Sequence, residues 1–263
     1  MCRRHLAKIV VKDVTKRFVE SRTGGVVTAI EDINFSIDEG QFVCLVGPSG
    51  CGKSTMLNIL AGLENPTSGT VILNGNPVVG TGPDRIMVFQ ENALFPWLKV
   101  IENVEFGLKM AGVDKAKRYE IAIRYLDMMQ LTKFAQSYIY QLSGGMKQRV
   151  AIARALVMDP EVLLMDEPFA ALDSQTRDLL LVELQLIWAK TRKTIVFVTH
   201  NILESVCLGD KVIVFTSRPG HLKKEIPVDY RRPRLSEDSS LQPYYRTILD
   251  EVKSEMIAAK KLE

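Results

Sequence analysis

The sequence lacks any apolar run approaching the roughly 18 residues of a membrane-spanning helix, and it has few cysteines and little net charge. The basic start, Met1 to Lys8, has no apolar stretch behind it long enough for a secretory signal. We therefore do not expect Cys2 to carry a lipid, and we expect the chain to stay in the cytoplasm. The net charge of +3 is too small to indicate nucleic acid or membrane lipid as a partner. A chain of 263 residues suffices for one large domain with a full core.

The four cysteines show neither the spacing of a metal site nor the pattern of a disulfide framework. They are Cys2, Cys44, Cys51 and Cys207. Cys44 lies in an apolar run and is expected to be a small core residue. Cys51 lies in a glycine-rich loop before a helix. Because a helix N-terminus lowers the pKa of a thiol, we expect Cys51 to be open to alkylation when the loop has no ligand.

Five short apolar runs recur between helical stretches. Continuous rather than alternating apolarity is typical of strands buried on both faces. Helices between such strands predict a layered α/β fold. The runs are residues 42–46, 86–89, 162–165, 194–198 and 212–215.

The first part of the chain alternates better between apolar and polar residues. Lys8 to Val11 and Ile33 to Ile37 therefore predict strands of an antiparallel sheet at one edge. Gly24-Gly25 and Asp38-Glu39-Gly40 are turn signals around them.

The middle of the chain, about Glu91 to Met158, lacks buried-strand runs. Asp114 to Leu131 has an apolar stripe of amphipathic-helix spacing, formed by Ile121, Tyr125, Leu126 and Met129. We interpret this region as a helical subdomain inserted into the α/β core. After Arg218 the chain is polar and proline-bearing, and a final helix is predicted from Pro243 to Leu262.

A phosphate-binding loop is the strongest motif. It matches glycine, four residues, glycine, lysine, and serine or threonine. A chance match of the bare pattern is expected in about one chain of this length in a hundred, but here an apolar strand precedes the loop and a helix follows it. Backbone N–H groups and the positive helix end would face ATP phosphates. Lys53 would reach the β- and γ-phosphates, and Ser54 would offer its hydroxyl to Mg²⁺. The loop is Gly47, Pro48, Ser49, Gly50, Cys51, Gly52, Lys53, Ser54 and Thr55.

Two acids, Asp166 and Glu167, end the apolar run that begins at Val162. The carboxyl ends of strands are where ligands bind in open α/β sheets. Asp166 would hold Mg²⁺, and Glu167 would polarise the attacking water as general base. Adjacent strand residues point to opposite sides, so the two acids would have different roles. An acidic strand end alone is equally consistent with chance, but beside a phosphate loop it favours function.

His200 and Gln90 close two further strand runs. A histidine at this place would contact the γ-phosphate and orient Glu167. A lone histidine is more often structural, so the position at a strand end is what favours this role. The amide of Gln90 would contact Mg²⁺ or water and report whether the γ-phosphate is present.

Taken together, these motifs resemble the ABC transporter ATPase family. The decisive stretch is Leu142-Ser143-Gly144-Gly145-Met146 with the helix-forming residues 147–156, which is similar to the family's highly specific signature. Its serine and glycines are expected to precede a helix, so N–H groups and a dipole would face an anion. In this family that surface faces the ATP of the opposite subunit. The resemblance therefore implies ATP held between two chains, with Ser143, Gly144 and Gly145 supplied by the partner.

The resemblance covers residues 6 to about 230. It implies that Phe18 stacks on adenine and that Asp173, in the D-loop, also contacts the nucleotide site. The implied fold is a RecA-like P-loop NTPase core with an antiparallel β subdomain and a helical subdomain of about residues 91–158. We take residues 6–235 as the ATPase domain and 236–263 as a short C-terminal helical tail.

Three residues depart from the family pattern. Met146 stands where the signature usually has glutamine, which puts one contact across the dimer in doubt. Ala170 stands where serine is frequent, and Asn201 follows His200 in place of aspartate. None of these removes a group assigned to chemistry.

Phe95-Pro96-Trp97 follows Gln90 closely. Packing within the helical subdomain and a groove that receives a helix of a membrane permease are equally consistent with this segment. The resemblance favours the permease, with the ATPase on the cytoplasmic face of the inner membrane.

Residues 92–97, the signature and Ser217-Arg218-Pro219-Gly220 resemble the nitrate, sulfonate and taurine importer branch, and bicarbonate importers have similar ATPases. An importer would also need an extracytoplasmic binding protein. The alternatives are an exporter or lipid-extraction ATPase, a soluble ABC-type ATPase acting on nucleic acid or ribosomes, and a scaffold without turnover. No residue here touches cargo, so the cargo is inferred from analogy.

Overall fold

The computed structural model describes residues 7–19 and 25–260. Cys2, Gly24 and Leu262, on which parts of the sequence predictions rest, lie outside these ranges. The strands are β1 Ala7–Val19, β2 Val26–Asp38, β3 Phe42–Val46, β4 Ser68–Leu73, β5 Asn76–Pro77, β6 Arg85–Val88, β7 Val162–Asp166, β8 Thr194–Val198, β9 Lys211–Phe215 and β10 Leu222–Pro227. The α-helices are α1 Lys53–Ala61, α2 Val100–Met110, α3 Lys115–Met128, α4 Gly144–Leu156, α5 Ser174–Thr191, α6 Ile202–Leu208 and α7 Gln242–Lys260.

The central sheet has six strands in the order β10-β9-β3-β8-β7-β6, and all pairs are parallel except β10 with β9. Alternate residues of each central strand enter two different cores. Phe42 and Cys44 of β3 pack on the side of α4 and α5, whereas Val43 and Leu45 pack on the side of α1. Both faces are therefore covered, which confirms that continuous apolar runs here mark strands buried on two sides.

The second sheet is antiparallel and has the order β2-β1-β4-β5. Its inner residues, such as Ile9 and Ile33, share a core with Met56 and Leu57 of α1. The predicted antiparallel edge sheet is confirmed, with strands longer than the alternating segments indicated. Because α1 follows the phosphate loop directly, this packing fixes the second sheet against the loop.

Helices α2, α3 and α4 occupy the middle of the chain, as the RecA-like fold with an inserted helical subdomain requires. Helix α3 is shorter than the predicted span at both ends, since Asp114 is its N-cap, accepting from the N–H of Ala116 at 2.9 Å, and Met129 is its C-cap. Of the predicted stripe, Leu126 and Met129 are buried, and Ile121 and Tyr125 are half-buried against the same core, with Ala122 buried beside them. The boundaries 91–158 and 235/236 stay predictions.

The polar segment after Arg218 contains a strand that the sequence did not predict. Strand β10 pairs antiparallel with β9 at the sheet edge, and Ile226 is its buried side chain. The final helix, α7, is confirmed over its described length. None of the described helices has the length and apolarity needed to cross a membrane.

Candidate nucleotide site

The phosphate loop joins the end of β3 to the start of α1, as predicted. Gly52 stands at the N-cap of α1 with φ +94°, a region that favours glycine. A Cβ at this position would also lie 2.3 Å from Cγ2 of Ile30 and 2.9 Å from the carbonyl oxygen of Ala29. Gly52 is therefore required both by its own backbone and by the close approach of β2.

Lys53 is buried, and its ammonium lies inside the loop. Its Nζ donates to the carbonyl oxygens of Gly47 at 2.9 Å and Pro48 at 3.0 Å. These contacts hold a positive charge at the start of α1, whose own positive end points into the same space. The arrangement suits an anion such as the phosphate chain of ATP.

Ser54 and Asp166 meet across the end of the sheet. The hydroxyl of Ser54 donates to Oδ1 of Asp166 at 3.1 Å. Burial raises the pKa of the Asp166 carboxyl, and the hydrogen bond from Ser54 partly opposes this. A hydroxyl and a carboxylate oxygen beside a phosphate loop form a hard-oxygen donor set that fits Mg²⁺.

Glu167 and His200 are in direct contact. Nδ1 of His200 lies 2.8 Å from Oε2 of Glu167. The Glu167 backbone is left-handed, with φ +43°, which is strained for a residue with a side chain. Its N–H donates to the carbonyl of Val198 in the neighbouring strand at 2.9 Å, which holds that conformation. The two acids at the end of this strand thus contact different partners, Asp166 with Ser54 and Glu167 with His200. Their separate roles in the reaction stay a prediction.

A cleft of about 240 Å³ brings most of these residues together. Phe18 is half-exposed at its rim, with Nζ of Lys16 lying 4.9 Å from the ring centroid. The stacking of adenine on this ring stays a prediction. The cleft is lined by Phe18, Ala29, Ser49, Gly50, Cys51, Gly52, Lys53, Ser54, Thr55, Glu167 and Arg218.

The signature residues lie outside this cleft. Ser143 caps α4, and its Oγ accepts from the N–H of Met146 at 3.3 Å. Gly144 and Gly145 form the first turn of α4, so the expectation that both glycines precede the helix is wrong. A Cβ at Gly145 would lie 2.5 Å from Cγ2 of Thr176, so glycine allows α4 to approach α5. Ser143 and Gly144 remain exposed at the positive end of a 13-residue helix.

Asp173 and Gln90 are also outside the cleft. Asp173 caps α5 by accepting from the N–H of Thr176 at 2.9 Å. Gln90 is exposed and lies two residues beyond β6. Their proposed contacts with nucleotide or metal stay predictions.

The ABC transporter family profile matches residues 30–170, which is more than half of the chain. The chain belongs to the ABC transporter family. It is 48% identical over 254 residues to an uncharacterized ABC transporter ATP-binding protein of Methanocaldococcus jannaschii, covering 97% of this chain and 94% of the relative. It is also 48% identical to the nitrate import ATP-binding protein NrtD of Synechocystis, covering 83% of this chain and 82% of the relative. The taurine import ATP-binding protein TauB of Pelagibacter ubique is 48% identical, with coverages of 77% and 76%.

A solved structure supports the same assignment. A dimeric post-hydrolysis state of an ATP-binding cassette, bound to ADP and phosphate, superimposes with a TM-score of 0.74 at 35% identity. The match covers 85% of this chain and all of that chain. This chain is thus an ABC-type ATPase with the α/β fold that its sequence predicted.

Two departures from the ABC pattern have a structural account. Asn201 caps α6, and its Oδ1 accepts from the N–H groups of Leu203 at 2.9 Å and Glu204 at 3.4 Å. An amide oxygen serves this cap as a carboxylate would. Met146 packs against the core of its own chain. Nothing in the structure explains Ala170 in place of the commoner serine.

The expectation that Cys51 is reactive is wrong for this ABC ATPase. The side chain is buried, and burial raises the pKa of the Cys51 thiol; the nearby Lys53 ammonium only partly opposes this. Desolvation of the thiol therefore exceeds the opposing effect of the Lys53 ammonium. Cys44 is buried as predicted, and burial raises the pKa of its thiol as well.

Arg218 is a charged residue of the cleft that the sequence motifs did not assign to nucleotide. The turn between β9 and β10 brings it there, because Gly220 is seated between the phosphate loop and β2. The N–H of Gly220 donates to the carbonyl oxygen of Ala29 at 3.0 Å. A Cβ at Gly220 would lie 2.0 Å from the carbonyl oxygen of Cys51. The only sequence signal was residues 217–220, noted for their resemblance to one importer branch.

We expect Arg218→Ala to raise the KM for ATP at least about tenfold, since a charge-assisted contact is worth roughly 1.5–3 kcal/mol, with a smaller effect on kcat. Arg218→Lys keeps the charge, so its KM for ATP should lie between that of wild type and that of Arg218→Ala. Arg246→Ala removes an exposed arginine from α7 and serves as the control. Steady-state ATPase kinetics check this, and an unchanged KM in Arg218→Ala would remove Arg218 from the site.

Proposed function

We propose that this chain is the ATP-hydrolysing subunit of an importer for a small anion such as nitrate, a sulfonate, taurine or bicarbonate. The contact of 2.8 Å between Glu167 and His200, beside the phosphate loop, carries the proposal that the site hydrolyses and does not only bind ATP. The relatives named for nitrate and taurine import support the cargo class. The ATPase would lie peripherally on the cytoplasmic face of the membrane, with two permease subunits and an extracytoplasmic binding protein.

The residues divide the reaction among themselves. The buried ammonium of Lys53 neutralises charge on the β- and γ-phosphates. Ser54 and Asp166 would hold Mg²⁺, with Gln90 as a further ligand; the ion supplies charge neutralisation across the phosphates. Glu167 accepts a proton from the attacking water as the water–phosphorus bond forms, and ADP departs with the electrons of the broken bond. His200 holds the Glu167 carboxylate in place.

The remaining contacts come from a second subunit. Ser143, Gly144 and Gly145 lie at the positive end of α4 but outside the cleft of their own chain. In a head-to-tail pair of chains this helix end would face the γ-phosphate held by the other chain. Asp173 would contribute at the same interface. Each chain then supplies half of two sites.

The two aromatic residues that follow Gln90, Phe95 and Trp97, differ in their surroundings. Phe95 packs within its own chain, with its ring centroid 4.5 Å from that of Phe106 and 5.6 Å from that of Trp97. Trp97 itself is 71% exposed. We propose that Trp97 contacts the permease, because exposed tryptophan is enriched at the centres of protein interfaces.

Co-purification from detergent-solubilised membranes tests the proposal. We expect recovery with a multi-span permease, and we expect Trp97→Ala to reduce that recovery at least tenfold with the purified ATPase rate within twofold. Leu179→Ala, which also trims an exposed apolar side chain, is the control. Uptake of nitrate, taurine and alkanesulfonates then identifies the cargo. Recovery with DNA or ribosomes, or export in place of uptake, would contradict the importer.

A further inference from the structure

Glu204 is a buried acid that the proposed mechanism does not use. It lies in α6, four residues after His200, and only 4% of its surface is exposed. A buried carboxylate is costly unless it has partners, so its contacts indicate what it does. The described residues give it two close partners from different elements, Thr199 and Arg177.

The first partner fixes the segment that carries the histidine. Thr199 is buried, and its hydroxyl donates to Oε2 of Glu204 at 2.6 Å. The same hydroxyl accepts from the N–H of Asn201 at 2.9 Å. The backbone on both sides of His200 is therefore tied to Glu204, while the His200 side chain itself is mostly exposed.

The second partner leads to the start of α5. Nε of Arg177 lies 3.4 Å from Oε1 of Glu204. Nη2 of Arg177 donates to the carbonyl oxygen of Leu172 at 2.8 Å. Leu172 belongs to residues 171–173, the segment that precedes α5 and ends in its cap, Asp173. One guanidinium thus contacts both this segment and Glu204.

A small cavity confirms that these groups are neighbours of the proposed catalytic pair. Glu167, His200, Thr199, Arg177 and Glu204 all line it. Burial raises the pKa of the Glu204 carboxyl, and the Thr199 hydrogen bond and the Arg177 charge oppose this.

We propose that Glu204 is a positioning residue that couples residues 171–173 to His200, by way of Arg177 on one side and Thr199 on the other. This inference rests on the proposed roles of Glu167 and His200. A shift of residues 171–173 against another subunit would move Arg177, and through Glu204 it would change the placement of His200 against Glu167. Misplacement of a catalytic group by about 1 Å is enough to cost activity.

Thr199→Val and Glu204→Gln test the network in the full chain. We expect each to lower kcat about tenfold with the Kd for ATP within twofold, because the phosphate loop is not altered. Thr199→Ser keeps the hydroxyl and should keep kcat within twofold of wild type. The double variant should be no slower than either single variant, since residues acting as one unit are not additive.

The control is an ion pair of similar length in the helical region. Arg118 Nε lies 3.2 Å from Glu105 Oε2 between α2 and α3, and Glu105→Gln should leave kcat unchanged.

Arg177 is more exposed than Glu204, so Arg177→Lys supplies the test if the buried variants do not fold. Wild-type kcat in Arg177→Lys, Thr199→Val and Glu204→Gln, or losses that add in the double variant, would overturn the network. Retained hydrolysis in Glu167→Gln would instead contradict the proposed function.

Discussion

Glu167→Gln is expected to lower kcat for ATP hydrolysis at least a hundredfold while leaving the Kd for ATP within about twofold, since a positioned general base contributes roughly 10²–10⁴-fold. Glutamine keeps the size of the side chain and an oxygen near Nδ1 of His200, but it cannot accept the proton of the attacking water. The loop contacts of Lys53 are untouched. Binding should therefore survive the loss of turnover.

Single-turnover hydrolysis and equilibrium binding of a fluorescent ATP analogue measure the two quantities separately. His200→Ala should also lower kcat, because it removes the group that holds Glu167. Glu105→Gln, a carboxylate-to-amide change in a remote ion pair, is the matched control. If Glu167→Gln hydrolyses ATP at the wild-type rate, Glu167 is not the base.

Ser143→Arg is expected to abolish hydrolysis in the assembled complex, with a loss comparable to that of Glu167→Gln. Ser143 is exposed at the end of α4 and lies outside the cleft of its own chain. A large cation there would block the approach of a second phosphate-bearing chain without touching the first. ATP binding to the isolated chain should remain within about twofold of wild type.

Asp114→Arg is the matched control, because Asp114 is likewise an exposed helix cap that accepts a backbone N–H. Losing a cap costs about 1 kcal/mol of stability in either helix. A loss of hydrolysis common to both variants would point to helix destabilisation. A loss confined to Ser143→Arg would point to the interface, and full activity in Ser143→Arg would contradict the shared site.

The sheet was predictable because its strands are buried on both faces. Residues 42–46 and 194–198 coincide with β3 and β8, since only apolar side chains fit between two layers of helices. Strand β10 was missed because it is an edge strand whose exposed residues are Lys224, Glu225 and Pro227. Such a segment resembles a polar loop when it is seen without its partner strand.

The site was predictable where its residues follow strands. Asp166, Glu167 and His200 stand at the carboxyl ends of β7 and β8, which are adjacent and parallel, so their proximity follows from the pattern. Arg218 and Glu204 were not predictable in this way. Arg218 reaches the cleft through a turn whose path depends on the close packing of Gly220 against Cys51 and Ala29. Glu204 is a helix residue of a type that usually faces solvent.

The prediction for Cys51 was wrong because it too depends on tertiary packing, which the sequence pattern does not show. The sequence shows that a helix begins beside the thiol, which favours the thiolate. It does not show that the loop folds over the side chain, so closely that a Cβ added at Gly47 would lie only 2.9 Å from Sγ of Cys51. Burial is a tertiary property, and here it has the larger effect on the pKa.

In the proposed dimer, each chain holds half of two ATP sites. The most direct test is the mass of the Glu167→Gln chain measured by light scattering after gel filtration in ATP and Mg²⁺, because slow hydrolysis keeps ATP in place. We predict about twice the 29.5 kDa of one chain, and a return to the single-chain mass when Ser143→Arg is added. A single-chain mass for Glu167→Gln with ATP bound, or a dimer that persists with Ser143→Arg, would show that the two chains do not share their ATP sites.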